Sequence, residues 1–349
     1  MTPMTGAGSR MTTEMAEQPR VLADLAARRN ELAAHVREAL PDAPAGIVLV
    51  ARGSSDNAAI FGRYVLELAT RRPVALAAPS LVTRYGVKGT LDGWLAVGVS
   101  QSGRTPEIVS VLEAFGAAGA RTVAITNDRD SALAATADAT VDTAAGTEQA
   151  VPATKTVTAQ FAAFAVLAEA IAADGVQLPW DGAAWEALPG AIGDLLADDA
   201  PARAAADVIG DAQGLVAIAR GLLLGAALEA ALKLKEMTGI LAEGASAADF
   251  LHGPIAVVRR ELPVLTLSAG GPAASDVIEF ADAARERGGR VLSIAPDADA
   301  DLSLPAVLPE GLAAIGAIVR AQQLAREVSL LRGIDPDAPF GLSKVTETH

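Results

Sequence analysis

Short apolar runs alternate with stretches of helical periodicity along most of the chain. Ile47–Ala51, Val74–Ala77, Trp94–Val99 and Thr122–Thr126 are nearly continuous in apolar residues, without a polar face. That is the pattern of strands covered on both sides in a parallel sheet. Between them, Asn57–Ala69 and Glu107–Phe115 repeat apolar residues at three- and four-residue intervals, and so does an entry segment through Leu22, Leu25, Leu32, Val36 and Leu40. A helix over 157–173 follows. A stretch rich in Gly, Pro, Trp and Asp, Asp174 to Gly190, then reads as a linker with some local packing. Strand and helix in this alternation predict right-handed βαβ units.

The pattern occurs twice. Leu215–Gly221 echoes Val48–Gly53, with Arg220 matching Arg52 at an offset of about 168 residues. At nearly the same offset Val264–Pro272 echoes the segment from Leu95, and Gly288–Ile294 echoes Gly119–Ile125. The chain therefore reads as α/β, two copies of one open unit. The copies differ in one loop. Ser100-Gln101-Ser102-Gly103-Arg104-Thr105 follows the third strand, and its counterpart carries Gly270 and Ala273 in place of Ser102 and Thr105.

Composition narrows the function classes. A chain of 349 residues, 51% of them hydrophobic, supplies two ordinary cores. A net charge of -14 argues against nucleic acid or an anionic membrane as partner. The absence of cysteine excludes disulfides and thiolate chemistry, and three histidines do not suggest a His-rich site, so neither metal nor cofactor is expected. Gln160, Glu169, Arg220 and Glu229 interrupt the most apolar stretches, and no secretory signal is visible; a cytoplasmic location is expected.

The loop Ser100–Thr105 is the first candidate for chemistry. Thr105 suits an N-cap and Pro106 a first helical residue, so three hydroxyls, an amide and a glycine meet a helix N-terminus. Free backbone N–H groups and the helix dipole favour an anion there, and the loop reads as a phosphate cradle. Farther on, Glu229, Lys233 and Glu236 share one face of a helix over 225–238, as a solvated ion-pair stripe or as part of a site. Glu236 lies near the helix end, where the dipole disfavours a carboxylate and its pKa is expected to rise. His252 sits in a Gly-Pro turn able to deliver an imidazole to a cleft. Lys344 stands in the tail, and Gly146–Thr156 has turn character before a helix.

Seven collinear segments resemble the sugar-isomerase (SIS) family, closest to the isomerase half of glucosamine-6-phosphate synthase and its free-standing relatives. They are Glu14-x-x-Glu17-Gln18-Pro19, Gly53-Ser54-Ser55, Ser100–Thr105, Glu148-x-x-Val151-x-x-Thr154-Lys155, Ala231–Glu236, His252-Gly253-Pro254 and Lys344. The resemblance implies two tandem SIS units, each a doubly wound parallel sheet flanked by helices, in a homodimer with shared active sites. It implies that Ser100, Gln101, Ser102 and Thr105 hold the phosphate, and that Ser55, Lys233 and the backbone near Val151 hold the sugar. It further implies that Glu236 moves a proton between C1 and C2, that His252 of a neighbouring copy opens the ring, and that Lys344 stands near the carbonyl as Schiff-base former or positive charge. Residues 1–12 are expected to lack order and 13–175 to form the first SIS domain. A linker at 176–198, a second SIS domain at 199–332 and a tail at 333–349 that contributes to the active site complete the expected division.

Departures from the synthases shape the expected activity. The glutamine-hydrolysing domain and its cysteine have no counterpart in this sequence, and Ala153, Arg52 and Ser54 replace family residues around the sugar site. The leading reading is a glucosamine-6-phosphate deaminase. Deglycation of a fructosamine 6-phosphate, or another aldose–ketose isomerisation, is the alternative. A sugar-phosphate sensor without catalysis ranks below both, because the first 45 residues are too short and acidic for a DNA-binding helix-turn-helix.

Overall fold

The computed structural model describes residues 6–40, 43–342 and Lys344. The chain divides into two compact units, each built on one five-stranded, all-parallel sheet.

The unit formed by Arg20–Thr147 and Lys155–Leu178 holds β1 (Ile47–Val50), β2 (Val74–Leu76), β3 (Leu95–Ser100), β4 (Arg121–Thr126) and β5 (Ala139–Asp142), in the order β2-β1-β3-β4-β5. Every residue of β1 and β3 is buried, as a sheet covered on both faces requires. On one face Ile108, Val111 and Leu112 of the helix Pro106–Ala117 pack on Val48, Val50 and Ala96. The helices Ser54–Thr70 and Lys155–Ile171 pack against each other, with Phe61 stacked on Phe161 at 4.8 Å between ring centroids.

The unit formed by the described residues up to Pro19, Glu148–Thr154 and Pro179–Lys344 holds β6 (Gly214–Ala219), β7 (Leu241–Ser246), β8 (Pro263–Leu267), β9 (Arg290–Ala295) and β10 (Leu302–Ser303). Its order, β10-β9-β8-β6-β7, is that of the first sheet read from the other edge. The repeat in the sequence is thus a repeat in topology. The helix Leu224–Thr238 packs on β6 and β7 and against the helix Glu310–Leu331.

Three boundaries differ from the sequence expectation. Residues 9–12 are not disordered: a helix runs Ser9–Ala16, because Gly8 N–H donates to Asp335 Oδ1 (2.9 Å) and Arg10 and Met11 N–H donate to the Asp337 carboxylate (2.9 and 2.8 Å). Acceptors more than 300 residues away satisfy this helix start, so no local signal announces it. The expected linker 176–198 contains a helix, Gly182–Leu196, capped by Asp181 and burying Trp185, Leu188, Ile192 and Leu195. Gly182 and Pro189, which suggested a linker, lie within it. Finally, residues up to Pro19 and Glu148–Thr154 belong to the unit of the second sheet, whereas 13–175 had been expected to stay together. Val345–His349 lie outside the described residues, and no helix among the described residues is long and apolar enough to cross a membrane.

Candidate active site

In the first-sheet unit the cradle loop leaves β3 at Ser100 and enters the helix at Pro106. Thr105 occupies the N-cap, but its side chain does not cap; its hydroxyl pairs with Ser100 Oγ at 3.1 Å. Pro106 brings no N–H, and the Ile108 and Val109 N–H groups both donate to Thr105 O (3.1 Å), so Thr105 serves the helix start through its carbonyl. Gly103 makes the turn with φ +62°, and a Cβ there would stand 2.0 Å from Ser131 Oγ. Both facts require glycine. Gly103→Ala is expected to weaken binding of a phosphorylated ligand about tenfold or more, through strain alone, as titration calorimetry would read. Arg104 donates to Asp128 at 3.0 Å, and this hydrogen bond holds the Asp128 carboxyl below its ordinary range. Ser55, nearly buried at the start of its helix, accepts a hydrogen bond from Gln160 Nε2 at 3.0 Å.

The second-sheet unit gathers the charged candidates. Lys233 Nζ lies 2.5 Å from Glu236 Oε2 and 3.5 Å from Glu229 Oε1. Lys233 and Glu229 are fully buried, whereas the Glu236 side chain is 27% exposed. Burial works to lower the Lys233 pKa, but Glu229, Glu236 and the more remote Glu148 outweigh it and hold the ammonium above its ordinary value. The Lys233 ammonium, expected to hold the sugar, is thus engaged by two carboxylates of its own helix. It is a buried cation that fixes the carboxylate of Glu236 by a direct hydrogen bond.

Glu148 organises the other half of this cluster. Its Oε1 accepts from Thr154 N–H (2.9 Å) and Thr154 Oγ1 (3.1 Å), and its Oε2 accepts from Lys344 Nζ at 2.8 Å. The tail lysine is thereby brought to the group that also bears on Lys233. Glu14 accepts the N–H groups of Gln149 and Ala150; burial pushes its carboxyl up and neighbouring Glu148 adds to this, against the pull of those two bonds. Gln18 Nε2 donates to Gln322 Oε1 (3.0 Å), whose Nε2 donates to Thr154 O (3.1 Å). The segment carrying half-buried Val151 is thus held at both ends. His252 follows the helix Ala247–Leu251, exposed, and makes no hydrogen bond or ion pair to the cluster among the described residues.

Glu148 and Glu14 are the functional candidates that residue-level reading left without a role. Both stand in motifs quoted above, but Glu148 meets Lys344 across 196 residues. The loop of the second sheet equivalent to the cradle has a carboxylate from the helix Glu310–Leu331 packed against it. Glu310 lies against Gly271, its Oε2 only 1.8 Å from where a Cβ would stand, and burial raises its pKa. An anion entering that loop would meet another anion.

The SIS domain family matches residues 42–170 and 209–308. The chain belongs to this family. It is 32% identical over 342 residues to a glutamine–fructose-6-phosphate aminotransferase (isomerizing) of Pyrococcus horikoshii, covering 96% of this chain and 57% of that protein. The chain thus spans a little over half the length of such curated relatives. The C-terminal domain of glucosamine-fructose-6-phosphate aminotransferase from Francisella tularensis superposes with a TM-score of 0.85 at 25% identity, covering 95% of this SIS chain and 98% of that one. Glucosamine-6-phosphate deaminase from Thermotoga maritima shares the fold, with a TM-score of 0.72 at 20% identity over 95% of this chain and 100% of that one.

Proposed function

We propose that this SIS protein is a sugar-phosphate isomerase that works as a glucosamine-6-phosphate deaminase. Ser100, Gln101, Ser102 and Thr105 bind the phosphate, and Ser55 and the backbone near Val151 bind sugar hydroxyls. His252, offered by a second copy in a homodimer, opens the ring to the aldehyde. Glu236 then takes the C2 proton and returns a proton at C1, which converts the 2-amino aldose into the imine of the 2-ketose. Water adds at C2, ammonia leaves, and the net change is glucosamine 6-phosphate plus water to fructose 6-phosphate plus ammonia. Lys344, paired with Glu148 as an ammonium, supplies positive charge near the carbonyl oxygen as negative charge develops there.

One observation carries this reading: an accessible carboxylate, Glu236, held on one side by a buried ammonium, which is the equipment a returning proton needs. The likeness to aminotransferases and a deaminase of glucosamine and fructose 6-phosphate supports the substrate class. Purified protein is expected to release ammonia from glucosamine 6-phosphate. No ammonia from that substrate, alongside turnover of another sugar phosphate, would sink the assignment; amine release from a fructosamine 6-phosphate would replace it with deglycation.

A further inference from the structure

β1 and β3 lie side by side, Leu49 opposite Val97 and Val50 opposite Gly98. From this pair the strand order runs outward in opposite directions, to β2 on one side and to β4 on the other. Open α/β sheets hold ligands at such a reversal, at the carboxyl ends of the strands. The loop after β3 is the cradle. The loop after β1 carries Arg52.

Arg52 Nε donates to Glu107 Oε2 at 2.9 Å, and Glu107 is the buried second residue of the cradle helix. Asp56, its carboxyl pushed up by burial, also feels the Arg52 charge. The arginine side chain is 47% exposed, and among the described residues its two Nη groups have no acceptor. The cradle's own cation, Arg104, is engaged by Asp128. A dianionic ester here would otherwise meet hydroxyls, an amide and backbone N–H groups alone.

The second sheet supplies an internal control. Arg220 stands at the position of Arg52 and likewise pairs through Nε with an acidic residue in the first turn of the helix after the neighbouring strand, Asp276 of Ala274–Glu286, at 3.2 Å. Its Nη1, however, donates to Ser246 Oγ at 2.9 Å. The arginine–acid pair is thus common to both copies and holds the loop to the helix. What differs, among the described residues, is the fork: its Nη groups have no acceptor in the copy that has kept its hydroxyls, and Nη1 has one in the other.

We propose that Arg52 is the cation of the phosphate cradle, oriented by Glu107 through Nε and binding two phosphate oxygens through its Nη groups. The planar guanidinium matches that geometry, as a lysine ammonium does not. The proposal rests on the cradle being a phosphate site.

Titration calorimetry with fructose 6-phosphate and with inorganic phosphate tests both ideas separately. Arg52→Met is expected to weaken fructose 6-phosphate binding about 10- to 100-fold and to flatten its dependence on salt, which loss of a loop tether alone would not do. Arg52→Lys should recover part of the salt dependence but little of the affinity, and Glu107→Gln should give a smaller loss. The double variant Arg52→Met with Glu107→Gln repeats the measurement without a stranded buried carboxylate, should Arg52→Met fold poorly. If wild type binds and Ser102→Ala weakens binding, while the Arg52 variants match wild type in affinity and salt dependence, the proposal is overturned and the cradle stands. If wild type binds neither probe, the cradle reading fails and the role of Arg52 falls with it.

Discussion

Glu236→Gln is expected to lower kcat for ammonia release by about 10²- to 10⁴-fold, the range ascribed to one general acid–base group. Glutamine has nearly the same shape and can still accept the Lys233 hydrogen bond, so the helix should be undisturbed. It cannot carry a proton. KM should stay within about threefold, because the lost interaction belongs to the transition state. Steady-state kinetics on glucosamine 6-phosphate, with deuterium incorporation from solvent as a second readout, checks this. A variant whose KM rises while kcat holds would show that Glu236 binds substrate and moves no proton.

Lys233→Met is expected to be the most damaging single change to stability. It would strand Glu229, fully buried, and take from Glu236 the ammonium that fixes it. Removing one partner of a buried pair typically costs about 3–5 kcal/mol. Adding Glu229→Gln should restore much of that loss, since an uncompensated charge causes it. Chemical denaturation of the two variants measures both. The sign of the pH dependence follows from the raised Lys233 pKa. The contribution is fully present below the ordinary lysine value of about 10.4 and disappears as pH rises through the folded-state value. The Lys233 contribution should therefore be constant around neutrality and be lost only in strong alkali.

Much of this protein is readable along the chain because its interactions there are local. The buried strands appear as uninterrupted apolar runs, and the cradle as a strand, a hydroxyl-rich loop and a Thr-Pro helix start. Glu229, Lys233 and Glu236 announce themselves by spacing, since a helix brings positions three and four apart onto one face. Spacing does not say whether that face meets water. Here Glu229 and Lys233 are buried while Glu236 keeps partial access to solvent, and this turns an apparent surface stripe into a fixed carboxylate.

The sequence by itself determined the two α/β copies, the place of the hydroxyl-rich loop and the loss of hydroxyls from its twin. These follow from periodicity and from residue types that act through their own backbone. Tertiary structure alone decided that Glu148 receives Lys344, that Glu14 secures the amides of Gln149 and Ala150, and that Arg52 meets Glu107 while Arg220 meets both Asp276 and Ser246. Each depends on groups far apart in sequence meeting within hydrogen-bond distance. Such a meeting leaves no periodic trace, because a charged side chain looks the same along the chain whether its partner is water or a buried carboxylate.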